Sequence, residues 1–135
     1  QMLHALASLP SPDGVCVLVD GDEEVGSPTS RELIEEAARD CRAAFVLEAS
    51  ADEAGALKIA PPGTPAGAAV GGASDGNYTA AVGCPTLDGL GAVGAGAHAD
   101  DEYVEVARMV PRARLLARLI EHTATKFPGD PTGVH

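Results

Sequence analysis

Residues Val15–Glu48, VCVLVDGDEEVGSPTSRELIEEAARDCRAAFVLE, decide the reading of the fold. Val15 to Val19 is a short apolar run with β-branched residues, bounded by Gly14 and Asp20-Gly21, which is the pattern of a buried strand. Thr29 with Glu32 three residues on spells a capping box. Leu33, Ile34, Ala37, Ala38 and Cys41 then recur on one face of a helix that runs to about Asp40. Ala43 to Leu47 reads as a second buried strand. Strand, acidic loop, helix and strand make a βαβ unit, whose right-handed crossover sets both strands parallel and opens the loops at their carboxyl ends. Glu23, Glu24 and Glu48 fall at that end. The expected fold class is therefore α/β, a mainly parallel sheet flanked by helices.

Outward from this unit the pattern changes. Toward the start, Met2, Leu3, Leu6 and Leu9 recur at helical spacing until Pro10 and the turn Ser11-Pro12-Asp13-Gly14, and the opening in mid-element suggests a piece of a larger domain. Toward the end, Pro61, Pro62, Gly63, Pro65, Gly67, Gly71 and Gly72 leave a stretch with no apolar period. Beyond it the spacing predicts a short helix from about Asp75 to Val82, a strand at Thr86-Leu87, a Gly-rich loop to His98 and a final helix. That helix carries Met109, Val110, Leu115, Leu116, Leu119 and Ile120 on its apolar side, with Arg108, Arg112, Arg114 and Arg118 elsewhere. The expected organisation is a first part over 1–60, a Pro/Gly junction over 61–73 and a second part over 74–135.

Composition narrows the function classes. The chain has 135 residues, 45% hydrophobic and 3% aromatic without Trp, so one core is expected, built from small and medium aliphatic side chains. Twenty acidic residues against nine Lys and Arg give a net charge of -11, which repels phosphate backbones and anionic lipid and disfavours nucleic-acid or membrane-surface roles. No apolar run is long enough to span a bilayer, and no secretory pattern opens the chain. Cys16, Cys41 and Cys84 are odd in number and lack C-x-x-C, so they read as small buried hydrophobes in a reducing, cytoplasmic protein.

Four motifs are candidates for chemistry. Asp22-Glu23-Glu24 crowds acids into one turn after a strand; it reads either as a solvated loop favouring the next helix N-terminus or as a site whose repulsion a cation offsets. An EF-hand is disfavoured, because the sixth position from Asp20 is not Gly and the twelfth is Arg31. Gly89-Leu-Gly-Ala-Val-Gly94 matches G-x-G-x-x-G by letter, but no helix follows directly and no βαβ unit remains downstream. Ser74-Asp75 suits a helix cap. His98, before Asp100, Asp101 and Glu102, is either an exposed histidine on an acidic surface or a metal ligand on a pliable loop.

Taken in order, Asp22-Glu-Glu-Val-Gly-Ser27, Glu48 after the intervening helix, Gly71-Gly-Ala-Ser-Asp-Gly-Asn77, Pro85-Thr-Leu-Asp-Gly-Leu-Gly91 and Ala97-His-Ala-Asp-Asp-Glu-Tyr103 resemble the zinc-dependent M20 exopeptidases. The branch resembled is that of the glutamate carboxypeptidases and related amidohydrolases. The resemblance implies a two-zinc hydrolase, another divalent metal being an alternative, that cleaves the amide bond of a small peptide or N-acyl amino acid beside a terminal carboxylate. By the same resemblance Glu23 is the general base, Glu24 and His98 are ligands of one zinc, Glu48 is a ligand of the other, and Asn77 binds substrate. Zinc accepts imidazole nitrogen and carboxylate oxygen and lowers the pKa of bound water.

Two family features are missing. An upstream H-x-D segment normally supplies a further His ligand and the bridging Asp, whereas here His4 is followed by Ala5 and Leu6. The lid domain that forms the family's homodimer belongs between Leu57-Lys58 and Ser74-Asp75, where the Pro/Gly stretch stands. The expectation is thus an incomplete catalytic domain, inactive as this isolated chain; the rival expectation is a non-catalytic remnant or interaction module of the same fold.

Overall fold

The computed structural model describes residues 1–51, 53–60 and 74–126. The 61–73 junction, with Gly71 to Ala73 of the polar turn, lies outside the described residues. Helix α1 (Met2–Ala7) opens the fold, and a single 3-10 turn at Glu23–Val25 precedes α2 (Arg31–Arg39). Then come β1 (Ala44–Phe45), β2 (Lys58–Ala60), α3 (Gly76–Ala81), β3 (Thr86–Asp88), β4 (Gly94–Ala95), β5 (Tyr103–Val104) and the long α4 (Val106–Lys126). No described helix is long and apolar enough to cross a membrane.

Strand β3 is the centre of a three-stranded sheet. It pairs with β1 in parallel, Ala44 opposite Thr86 and Phe45 opposite Leu87, and with β2 antiparallel, Ile59 opposite Leu87. Strands β4 and β5 form a separate antiparallel ribbon. Helices with a few strands fit the α/β class, but among the described residues one strand pair of three is parallel, where a mainly parallel sheet was expected. The reason is that β2, which returns beside β3, occupies the edge a further parallel strand would need.

The larger correction concerns Val15 to Val19. This run enters neither sheet, and Val17, Leu18 and Val19 are exposed, Val19 by 79%. An apolar run becomes a buried strand only when a neighbour pairs with its backbone and a layer covers it, and among the described residues β1 bonds to β3 alone. Cys16 is consequently exposed, while Cys41 is half-buried and Cys84 buried.

The capping box also fails to form. Thr29 gives both its backbone N–H and its hydroxyl to Asp22 Oδ2, each at 2.7 Å, and α2 begins behind Ser30 without a side-chain cap. An ionised carboxylate is the stronger acceptor, so Asp22 takes the donor that the box needed.

The core is small-residue and aliphatic, as composition required. Ala5 of α1, Leu90, and Ala113, Leu116 and Ala117 of α4 are buried together, with Phe45, Leu57, Leu87, Leu115, Leu119 and Ile120 packed around them. In α4, Met109 and Val110 are exposed instead, and Arg112, expected on the polar side, is only 7% exposed. Its guanidinium donates to the carbonyls of Gly55 (3.0 Å), Gly91 (3.3 Å) and Gly89. Burial, with the like charge of Arg108, lowers its pKa, and the carbonyl fork is what satisfies its donors.

Candidate active site

Glu23 and Glu24 are fixed by the turn that carries them. Gly26 N–H donates to Glu23 O at 2.8 Å and Ser27 N–H to Asp22 O at 2.9 Å, closing the acidic turn on itself. Asp22 anchors its far side: its carboxylate accepts from Thr29 and, at short range, from the Ser30 hydroxyl. Those bonds hold the Asp22 carboxyl at about 2, below the ordinary carboxylate value. Asp22 is thus committed to structure.

Glu24 points to solvent and meets His98. Glu24 Oε2 stands 3.8 Å from His98 Nε2, with side chains 76% and 77% exposed. The loop after β4 presents His98 with a left-handed φ of 66°, uncommon for a residue with a Cβ, and its backbone N–H reaches Glu102 Oε2 at 3.4 Å. Two segments far apart in sequence therefore converge on one carboxylate–imidazole pair.

Glu23 is half-buried, and its Oε1 is buried with no hydrogen-bond partner. Burial raises its pKa, and the charges of Glu48, Glu24, Asp75 and Asp20 raise it further. Glu48, at the end of the β1 segment, is raised by burial and by Asp88, Glu24 and Asp20, with Lys58 opposing. Asp75 is pushed up to about 6 by burial; the Ser27 bond opposes, while a hydrogen bond with Asp20 and the charges of Asp20 and Glu48 add. Glu23, Glu24 and Glu48 thus share one acidic neighbourhood, joined by Asp20 and Asp75, two residues the sequence reading did not place in the site. For Asp75 the Ser74-Asp75 turn was the available signal.

Asn77 is the second residue of α3, where its backbone N–H donates to Ser74 O at 3.0 Å. Ser74 Oγ in turn donates to the buried Asp88 at 2.8 Å, and Lys58 Nζ lies 3.6 Å from the same carboxylate.

The donor types suit a divalent cation, since imidazole and carboxylate are zinc ligands and Glu23 keeps a buried oxygen free to accept a proton. In number they fall short. Among the described residues no three of His, Cys, Asp or Glu come together closely enough to hold a metal ion.

The glycines of the G-x-G-x-x-G stretch serve backbone packing. A Cβ on Gly91 would collide with the Leu47 carbonyl and lie 2.6 Å from Glu48 O, and one on Gly94 would strike the Tyr103 carbonyl. Gly91 N–H also donates to Glu48 O at 2.8 Å, tying this loop to the segment after β1 that bears Glu48.

Residues 51–122 match the profile described as peptidase family M20/M25/M40. No curated protein and no solved structure matches the chain.

Proposed function

The chain belongs to peptidase family M20/M25/M40, and from that premise we propose that it is a metal-dependent hydrolase of the exopeptidase type, cleaving the amide bond of a peptide or N-acyl amino acid next to a terminal carboxylate. One observation carries the reading: the approach of Glu24 and His98 to 3.8 Å at the edge of a cluster of carboxyls with raised pKa values.

In this reading Glu24 and His98 hold one zinc and Glu48 contributes to a second, with Asn77 near the substrate. When bound, such a metal lowers the pKa of water and polarises the scissile carbonyl. Glu23 takes the proton from the attacking water and returns it to the leaving nitrogen. Burial raises its pKa above the ordinary carboxylate value, which makes it a better proton acceptor than a free glutamate. A catalytic zinc normally has about three protein ligands, so uptake by two donors is expected to be weak and turnover low.

The second reading, a non-catalytic module of the same fold, is favoured by the absence of any three-ligand cluster among the described residues. Zinc titration followed at the histidine ring resonances, with an N-acyl amino acid hydrolysis assay, separates the two. The hydrolase reading expects zinc to shift His98 and leave His4 and His122 in place. Glu23→Gln should keep zinc uptake but lose any hydrolysis, and His98→Ala should lose uptake. Equal response of His4, His98 and His122 would sink the ligand assignment and favour the module.

A further inference from the structure

Ser27 is 1% exposed and holds a left-handed φ of 52°; with His98 it is one of two non-glycine residues at positive φ among those described. A serine is held there only when its surroundings over-determine the backbone. Here they do. Its N–H donates to Asp22 O at 2.9 Å, its carbonyl accepts Arg31 N–H at 3.0 Å, and its hydroxyl donates to Asp75 Oδ1 at 2.5 Å. Asp75 occupies the N-cap position of α3 but makes no capping bond there; the Ser74 hydroxyl accepts Gly76 N–H instead. A second tie runs parallel to the first, Tyr78 OH donating to Gly26 O at 3.0 Å.

We propose that Ser27 and Asp75 are positioning residues, a hydroxyl–carboxyl latch that locks the Glu23–Glu24 turn onto the start of α3 and so sets where both glutamates stand. The inference rests on the hydrolase reading for its purpose and on the hydrogen bonds for its existence. Adjacent glutamates with different tasks need a fixed backbone, because neither side chain can correct a rotated turn for both. Asp22 pins that turn to the start of α2, and Ser27 with Gly26 pins it to α3. The latch acts through the turn and takes no part in proton transfer or metal binding.

The test uses the full chain and two readouts, amide hydrogen exchange at residues 23–27 and zinc titration at the His98 ring. Ser27→Ala and Asp75→Ala should speed exchange in the turn by roughly two- to tenfold, the range expected for one lost hydrogen bond, and weaken zinc uptake comparably while α4 amides keep their rates. Asp75→Asn should restore both readouts, since its carbonyl still accepts from Ser27 and its amide can donate to Asp20. Ser27→Gly relieves the left-handed backbone without returning the hydroxyl, so it should behave as the alanine variant does. A glycine variant equal to wild type, an unchanged turn, or acceleration spread evenly over the chain would overturn the latch. If zinc fails to shift His98 in the wild type, the hydrolase reading falls, and the exchange arm alone decides the latch.

Discussion

Asp20 and Asp75 share a hydrogen bond in a neighbourhood already crowded with negative charge, and the consequence appears in the dependence of stability on pH. The carboxyl of Asp75 titrates at about 6 in the fold against an ordinary 3.8, with Asp20, Glu48 and the Ser27 hydroxyl facing it. Between those values the native state keeps a proton that the unfolded chain has lost, so the contribution of Asp75 is favourable at low pH and is lost as pH rises through about 6. Asp75→Asn removes this titration while preserving the contacts. Its melting temperature should therefore gain on that of the wild type as pH is raised from about 4 to 7, measured by thermal denaturation across that range; a constant difference would mean that the carboxyl titrates normally. Asp22 has the opposite sign: depressed to about 2 by Ser30 and Thr29, it contributes above its ordinary value and loses that contribution only as pH falls through about 2. At this scale Glu24 and His98 were legible as candidates from their ordered motifs, and their side chains stand 3.8 Å apart. Ser27, Asp20 and Asp75 were not, since a serine hydroxyl reaching 48 positions along the chain leaves no trace in local spacing.

At the scale of elements, Gly91 shows what the glycine-rich loop is for. A methyl group there meets the carbonyls of Leu47 and Glu48, which are backbone and cannot swing aside. Gly91→Ala should cost about 1–3 kcal/mol, the usual range for overpacking, read as a lower urea midpoint at unchanged slope. A midpoint equal to that of wild type would show that the loop and the end of the β1 segment part easily. The helices α2, α3 and α4 and the strand β3 were readable because apolar periodicity and turn residues act within each segment. Val15 to Val19 was misread because strand formation depends on a neighbour, and sequence composition reports only that a segment could be buried. The capping box failed for a related reason: Thr29 was judged against Glu32, while the carboxylate of Asp22 won its hydrogen bonds.

At the scale of the whole molecule, a small aliphatic core leaves much of the cohesion to polar ties between distant segments, and Arg112 supplies three of them. Its acceptors lie 57, 23 and 21 positions away in the chain, so α4 and the loops at Gly55, Gly89 and Gly91 must all be in place before the guanidinium is satisfied. Contacts of such long sequence separation demand prior loop closure, and we expect them to form on the native side of the folding barrier. Arg112→Lys, which keeps the charge but loses the planar fork, should then hardly change the refolding rate and should accelerate unfolding, measured as the two limbs of a denaturant chevron. A slowed refolding limb would place the fork in the nucleus instead. With the fork formed last, Arg112 governs how long the folded chain persists, which makes the buried guanidinium a determinant of lifetime more than of the route by which the chain folds.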